Sequence, residues 1–169
     1  YIADAGAHRI RKVEAATGII TTVVGNGLDG CTGDGGLAIR ARIGSPMSLR
    51  LDATGNLYFP DKAYHVVRRI DVETGIISTV VGSGEEGYSA DGTPALKASL
   101  GSPHGVEVSA DGGTFYVSDT ANFQVRAVGP DGILRTIAGS NDGGDSGDGG
   151  FAASATLNYP YSLRLYGRD

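Results

Sequence analysis

The sequence predicts an all-β fold, a β-propeller of four-stranded antiparallel blades, from three observations. One motif recurs almost three times at a period of 57–58 residues, at positions 1–4, 58–61 and 116–119. Each copy contains four short β-type runs, and glycine-containing turns separate them. A fixed period of this size indicates one supersecondary unit repeated along the chain, and four antiparallel strands form a propeller blade.

The middle copy shows the four predicted strands most clearly, at 58–61, 65–71, 76–82 and, after a long connection, 104–109. The turn between the second and third strands keeps a glycine in every copy, as a turn with positive φ requires. These glycines are Gly18, Gly75 and Gly132. The chain is therefore predicted to be a single propeller segment over 1–169. Its repeats are 1–57, 58–115 and 116–169, permuted at the termini.

The long connection has the same length in all three copies, with 20 residues between a glycine and a proline. A structureless loop of this length is uncommon in a compact domain. The three connections share alanines three residues apart, at Ala38 and Ala41, Ala95 and Ala98, and Ala152 and Ala155. This spacing predicts short helical turns between the blades. In the middle copy, Thr93 is the expected N-cap and Pro94 the first helical residue.

Composition excludes some classes of partner. The net charge is −5 and the isoelectric point is about 5.1, whereas nucleic-acid binding requires a basic patch. No apolar run approaches the roughly 18 residues of a membrane span, so no direct membrane insertion is expected. The single Cys31 cannot form a disulfide within the chain, and its role stays open.

Several segments resemble the signature of the NHL-repeat propeller family. They are residues 1–13, 17–25 and 55–58, together with Ser45-Pro46 before an inner strand. The resemblance covers essentially the whole chain in three copies. The departures are Pro60 inside a strand and Phe123-Gln124, where the other copies have His8-Arg9 and His65-Val66. Members with Gly-Asp-Gly-Gly loops, as at 33–36 and 147–150, are often large secreted or envelope-associated binding proteins. The resemblance therefore implies an extracellular, envelope or organelle-lumen location.

The strands are expected in groups of three, four, four and one, the last at 161–166. Three blades are too few to close a propeller, which has about four to eight. Two lateral blade faces would then expose apolar side chains to water, at a substantial free-energy cost. We therefore expect a ring of about six blades. It would be completed by a second copy bound head to tail or by further parts of a longer chain.

Residues present in every copy are expected to serve the blade itself. An aspartate and an arginine recur together, as Asp4 and Arg11, Asp61 and Arg68, and Asp119 and Arg126. We predict a carboxylate–guanidinium pair that joins two strands of each blade, because arginine can bind a carboxylate with two hydrogen bonds. The alternative is a ligand site, but six copies of one site in a ring would be uncommon.

The glycine-rich connections are also acidic, with aspartates at Asp29, Asp34, Asp91, Asp142, Asp145 and Asp148. Turn formation is the expected role, and no cofactor is expected. Carboxylates among glycines can converge on Ca²⁺, although the spacing differs from that of a twelve-residue calcium loop. Only Asp142, Asp145 and Asp148 are dense enough to keep calcium as an open alternative.

The innermost strands differ between the copies, which makes them candidates for a ligand site at the rim of the channel. Their first residues are Met47, His104 and Tyr161, and three residues later follow Arg50, Glu107 and Arg164. One interpretation is an ion pair between Arg50 and Glu107 of neighbouring blades. The other places these charges on the channel wall, where they would favour a charged or carbohydrate-like ligand.

The predicted function is a non-catalytic scaffold that binds a protein, a small ligand or a carbohydrate. The first alternative is a structural subunit of a larger assembly. The second is a metal-dependent lyase of the peptidyl-hydroxyglycine type, which the resemblance brings in because some six-bladed relatives are such enzymes. A catalytic zinc site needs three protein ligands, and the chain has only His8, His65 and His104. The first two occupy the same repeat position, and Cys31 has no evident base.

Overall fold

The computed structural model describes residues 1–166, and its strands form three antiparallel sheets. The first blade contains β1 (Ile2–Asp4), β2 (Arg9–Val13) and β3 (Ile20–Val24). The second contains β4 (Arg50–Leu51), β5 (Leu57–Asp61), β6 (Val66–Ile70) and β7 (Ile77–Val81). The third contains β8 (Val106–Val108), β9 (Phe115–Asp119), β10 (Gln124–Val128) and β11 (Leu134–Ala138). The predicted all-β propeller blades are confirmed.

Within each sheet, strands that follow one another in sequence lie side by side. The expected order of three, four and four strands is found, but residues 161–166 belong to no sheet among the described residues. The prediction of a strand there is wrong for this structure. A blade's inner strand pairs with the strand that follows it, as β4 pairs with β5. Among residues 1–166 there is no following strand with which residues 161–166 could pair. Leu163 O instead accepts a hydrogen bond from Arg50 Nη2 at 3.3 Å.

A 3₁₀ turn joins β1 to β2, β5 to β6 and β9 to β10. The sequence pattern did not predict these turns. The turns are Ala5–Ala7, Lys62–Tyr64 and Thr120–Asn122. Each ends in a residue with left-handed backbone: His8, His65 and Phe123, with φ of 53°, 54° and 53°. Histidine is enriched in this conformation, whereas a bulky residue is an outlier there. The Phe123 ring packs edge-to-face on Tyr159, with ring centroids 5.1 Å apart.

The connections between blades contain single 3₁₀ turns at Ala38–Arg40, Ala95–Lys97 and Ala152–Ser154, as predicted. The predicted cap of the middle turn is wrong by one residue. Pro94 occupies the cap position with extended backbone, because it forms a β-bridge with Ile133 of the third blade. Thr93 Oγ1 instead donates to Ala90 O at 2.7 Å.

Two apolar cores lie between consecutive blades, and the same repeat positions build both. The first core contains Ile10, Val24, Ala38, Ala41, Ile43, Leu57, Phe59, Ile70 and Ile77. The second contains Tyr58, Val67, Val81, Ala95, Ala98, Leu100, Val106, Val108, Val117, Val128 and Leu134. In each core one blade supplies strand residues and its connection, and the next blade supplies its lateral face. Among residues 1–166, no helix has the length and apolar character needed to cross a membrane.

Candidate functional site

An open cavity of about 380 Å³ lies where the innermost strands begin. Its wall comes from the first blade, from the starts of two inner strands and from the segment after the third blade. The lining residues include Ala3, Met47, Ser48, His104, Tyr161 and Ser162. The structure therefore brings Met47, His104 and Tyr161 together around one space, although each comes from a different repeat.

His104 and Tyr161 form the aromatic side of this cavity. Their rings meet edge-to-face with centroids 4.5 Å apart. His104 Nδ1 lies 2.9 Å from the carbonyl oxygen of Ser102, so this nitrogen carries the proton and Nε2 remains an acceptor. Burial lowers the pKa of His104 below its usual value, and the positive charge of Lys62 acts in the same direction. The imidazole is therefore neutral at pH 7.

Arg50 of β4 and Arg164 of the segment after the third blade both contact Glu107 of β8. Arg50 Nε lies 2.5 Å from Glu107 Oε1, and Arg164 Nη1 lies 3.7 Å from the same oxygen. The Glu107 side chain is buried, whereas that of Arg164 is largely exposed. Arg50 and Glu107 belong to β4 and β8, so this ion pair joins neighbouring blades. Only Arg164 keeps a largely exposed charge, and the cluster carries one excess positive charge.

The repeated aspartates and arginines form the predicted pair in one blade only. Arg126 Nη1 lies 3.4 Å from Asp119 Oδ2, and both side chains are buried. Asp61 instead accepts hydrogen bonds from the amides of Gly44 and Ser45, at 2.7 and 2.8 Å. Its burial raises its pKa despite these donors. The prediction of a direct ion pair between Asp61 and Arg68 is wrong.

The first blade also departs from that prediction. No ion pair joins Asp4 and Arg11 among the described residues, and Arg11 Nε is buried without a hydrogen-bond partner there. The direct ion pair between the recurring aspartate and arginine therefore does not form in the first two blades. The recurring aspartate and arginine turn out to have largely separate partners.

The repeated arginine reaches back to the connection that precedes its own blade. Arg68 Nη2 lies 2.5 Å from Asp34 Oδ1, and Arg68 Nη1 donates to the carbonyl oxygen of Arg42 at 3.0 Å. In the third blade, Arg126 Nη2 lies 3.2 Å from Asp91 Oδ1 and donates to Ser89 O at 2.8 Å. Each guanidinium thus fastens a blade to the connection before it.

The loop aspartates Asp34 and Asp91 complete this joint through backbone hydrogen bonds. Asp34 Oδ2 accepts from Thr79 N, and Asp91 Oδ1 accepts from Thr136 N, both at 2.8 Å. Burial acts to raise the pKa of Asp34, but hydrogen bonds from Arg68 and Thr79 outweigh it and hold the pKa below its usual value. Sequence reasoning assigned these residues to turns. The signal it missed is their spacing, since Asp34, Asp91 and Asp148 are each 57 residues apart.

Metal ligation finds no support in the geometry of the described chain. Asp142, Asp145 and Asp148 are exposed. Residues 1–166 contain no group of three His, Cys, Asp or Glu side chains arranged to hold an ion. Calcium at these aspartates therefore stays a prediction. Cys31 is half-buried, and burial raises the pKa of its thiol, which disfavours the thiolate.

The other two histidines, His8 and His65, contact backbone groups of the scaffold. His8 Nδ1 lies 2.8 Å from Gly44 O, and His65 Nδ1 accepts from Ser102 N at 3.2 Å. Both rings therefore bind the backbone of the segment that leads into an inner strand. Each contact uses Nδ1 and orients the imidazole ring against the scaffold.

Comparison with known proteins matches the NHL repeat model at residues 100–128. NHL repeat-containing protein 2 of Bos taurus is 27% identical over 134 residues, which cover 76% of this chain and 18% of that protein. The chain thus spans less than a fifth of this relative. A structure of a protein of unknown function from Bacteroides thetaiotaomicron aligns with TM-score 0.70 and 23% identity, over 93% of this chain and 37% of that one.

An auxiliary nutrient binding protein of the same bacterium aligns with TM-score 0.64 and 20% identity, covering 95% of this chain and 38% of that one. At these identities the structural matches show the fold alone. The repeat match lies on the hairpin of β9 and β10 and on the inner strand β8, and the other blades have the same construction. The described chain therefore has the fold of β-propeller blades and contains an NHL repeat at residues 100–128.

Proposed function

We propose that this chain is a non-catalytic NHL-type scaffold that binds a small, hydroxyl-rich ligand of the carbohydrate class in the inner-strand cavity. The observation that carries the proposal is the convergence of Met47, His104 and Tyr161 on one open space of about 380 Å³. The similarity to a structure named as an auxiliary nutrient binding protein supports a binding role.

The chemistry of the cavity favours this class of ligand. Small-molecule sites combine apolar walls with a few placed polar groups. Here the methionine and the tyrosine ring supply the apolar surface. Ser48 and Ser162 supply hydroxyl groups, and the neutral His104 supplies an acceptor at Nε2. No charged side chain of residues 1–166 lines the cavity, so a ligand of high charge would lack a direct partner in that part of the chain.

Titration of the protein with a panel of neutral mono- and oligosaccharides, followed by calorimetry, tests the proposal. Tyr161→Ala and His104→Ala are each expected to weaken binding about tenfold, because each removes a ring contact or one hydrogen bond. Tyr166→Ala is the matched control, since this tyrosine is fully exposed and does not line the cavity. The proposal fails if no sugar binds at millimolar concentration, or if Tyr161→Ala binds as well as the unmodified protein.

A role as a structural subunit is the second candidate, and the exposed lateral face of the first blade favours it. Ile2 and Ile20 are largely exposed there, although the residues at their positions in the second blade are buried. A lyase role has no comparable support. Catalytic zinc needs three protein ligands, and residues 1–166 contain no group of three His, Cys, Asp or Glu side chains arranged to hold an ion.

A further inference from the structure

We propose that the outer wall of the third blade carries a second ligand site, which binds a small hydroxylated ammonium compound of the amino-sugar class. The site lies between the connection before the third blade and the connection after it. It shares no lining residue with the inner-strand cavity, so the inference is independent of the ligand proposed there.

The candidate site is an open cavity of about 490 Å³, a size typical of small-molecule sites. Its walls come from both connections and from the strands β10 and β11. The polar lining residues are Tyr88, Asp91, Gln124, Thr136, Ser140 and Ser154. A ligand in this cavity would therefore meet several hydroxyl groups and one carboxylate.

Contacts within the protein hold the walls of this cavity in place. Gln124 is 4% exposed, and its Nε2 donates to Gly139 O at 3.1 Å. The Tyr88 ring lies over the buried Arg126, with the guanidinium carbon 5.6 Å from the ring centroid. Gly139 N donates to Ala152 O at 2.9 Å, which ties the connection after the blade to the end of β11. The cavity is thus formed in advance, which lowers the entropy cost of binding.

Asp91 keeps one of its carboxylate oxygens free. Its Oδ1 accepts from Thr136 N at 2.8 Å and from Thr136 Oγ1 at 2.9 Å, and it lies 3.2 Å from Arg126 Nη2. Its Oδ2 accepts no hydrogen bond from residues 1–166. The corresponding Asp34 uses both oxygens, one for Arg68 and the other for Thr79. An ammonium group would give Asp91 Oδ2 a charge-assisted hydrogen bond.

The charge at this cavity favours a cation. Arg126 pairs with both Asp91 and Asp119, so the three groups carry one excess negative charge. Arg126 and Asp119 are fully buried, whereas the Asp91 side chain is 54% exposed. Among residues 1–166, Asp91 is the only charged residue that lines the cavity. One ammonium group would neutralise the excess, and Ser140 and Ser154 offer hydrogen bonds to the hydroxyl groups of the ligand.

Three lining residues distinguish this surface from that of the second blade. Tyr88 stands where the preceding copy has Cys31, Gln124 where it has Val66, and Ser154 where it has Lys97. A residue that serves the blade should recur in every copy, whereas these three differ together in one place. A lysine at this position would also repel an ammonium group. The differences therefore indicate a function that is specific to the third blade.

The wall after the third blade lies outside the joint that a connection makes with the next blade. Its 3₁₀ turn supplies Ala153 and Ser154 to the cavity. In the first two connections the residues at these positions are exposed although a blade packs on each connection. They are Ile39, Arg40, Leu96 and Lys97. The cavity therefore does not depend on what packs against the third connection.

Calorimetric titration of the whole chain with glucosamine and with glucose, at mildly acidic pH, tests the proposal. The two sugars differ by an ammonium group in place of one hydroxyl group. Glucosamine is expected to bind about tenfold more tightly than glucose, because only it offers a charge to Asp91. Ser154→Lys is expected to weaken glucosamine binding about tenfold, because the lysine adds a like charge and fills part of the cavity. The second connection carries Lys97 at this position, so the fold tolerates the residue.

Phe151→Lys is the matched control, because it places a lysine in the same connection at an exposed position that does not line the cavity. It is expected to bind glucosamine like the unmodified chain. Circular dichroism monitors folding. If Ser154→Lys unfolds, Ala153→Leu replaces it, since leucine at this position, as in Leu96, would fill the cavity.

Four results overturn the proposal: no binding of glucosamine at millimolar concentration, equal affinity for both sugars, unchanged binding in the cavity variant, or an equal loss in Phe151→Lys. A loss in Tyr161→Ala without a loss in Ser154→Lys also overturns it, because the amine would then bind in the inner-strand cavity. Binding of neutral sugars through Tyr161 is a separate result, so the two proposed sites can fail independently.

Discussion

Arg126 shows at the scale of one residue what the repeated charges do. Its guanidinium binds Asp119, Asp91 and the carbonyl oxygen of Ser89, and Gln124 Oε1 accepts a further hydrogen bond at 3.3 Å. A buried guanidinium is costly unless hydrogen bonds satisfy its donors. Here the two terminal nitrogens bind groups in three parts of the chain, which are β9, β10 and the connection before the blade, and Nε lacks a hydrogen-bond partner among the described residues. The residue therefore stabilises the joint between blades and the blade itself.

Arg126→Ala is expected to lower the free energy of unfolding by about 3–5 kcal/mol, because it leaves the buried carboxylate of Asp119 without its cation. Arg135→Ala on the neighbouring strand is the control. Its pair with Asp131 lies at the surface, and such pairs contribute little to stability. Urea unfolding of both variants measures the difference. Equal losses in the two variants would contradict the assigned role of Arg126.

At the scale of the element, each blade ends in a glycine that faces the left-handed residue of its own hairpin. These glycines are Gly25, Gly82 and Gly139, with φ of 88°, 101° and 89°. A Cβ at any of them would overlap the carbonyl oxygen of the residue at position 8, 65 or 123. The residue that ends the 3₁₀ turn and the recurring glycine are therefore in direct contact, and the close approach requires a residue without a Cβ.

Gly82→Ala is expected to cost about 3 kcal/mol or more, because the new Cβ meets His65 O and lies 2.8 Å from Val66 Cα, both on the backbone. Gly84→Ala is the control. Gly84 has a similar φ of 92°, but a Cβ there has no atom within 4 Å, so only the backbone strain of about 1 kcal/mol remains. Thermal unfolding of the two variants separates steric overlap from strain. A control as unstable as Gly82→Ala would refute the contact.

At the scale of the whole molecule, two apolar cores hold consecutive blades together. Both are built from side chains of two blades and of the connection between them.

Much of the architecture was predictable from local sequence. In the middle copy the period places the strands within one or two residues, as β5 at Leu57–Asp61 against a predicted 58–61 shows. The alanine spacing predicts the three turns between blades. The ion pair between Arg50 and Glu107 was one of two open interpretations, because an inner strand shows which residues occupy the rim but not whether they face a neighbour or the channel.

The sequence by itself determined the repeated unit, since strand runs, turn glycines and their period are properties of neighbouring residues. Only the tertiary structure decided the partner of each charge. Arg68 lies seven residues from Asp61, yet it binds Asp34, because the connection folds back over the following blade and brings its aspartate to the guanidinium. The packing of neighbouring blades likewise brings Met47, His104 and Tyr161 into one cavity, although consecutive members of this set lie 57 residues apart in sequence. Such contacts depend on how blades pack around an axis, and no local pattern encodes that packing.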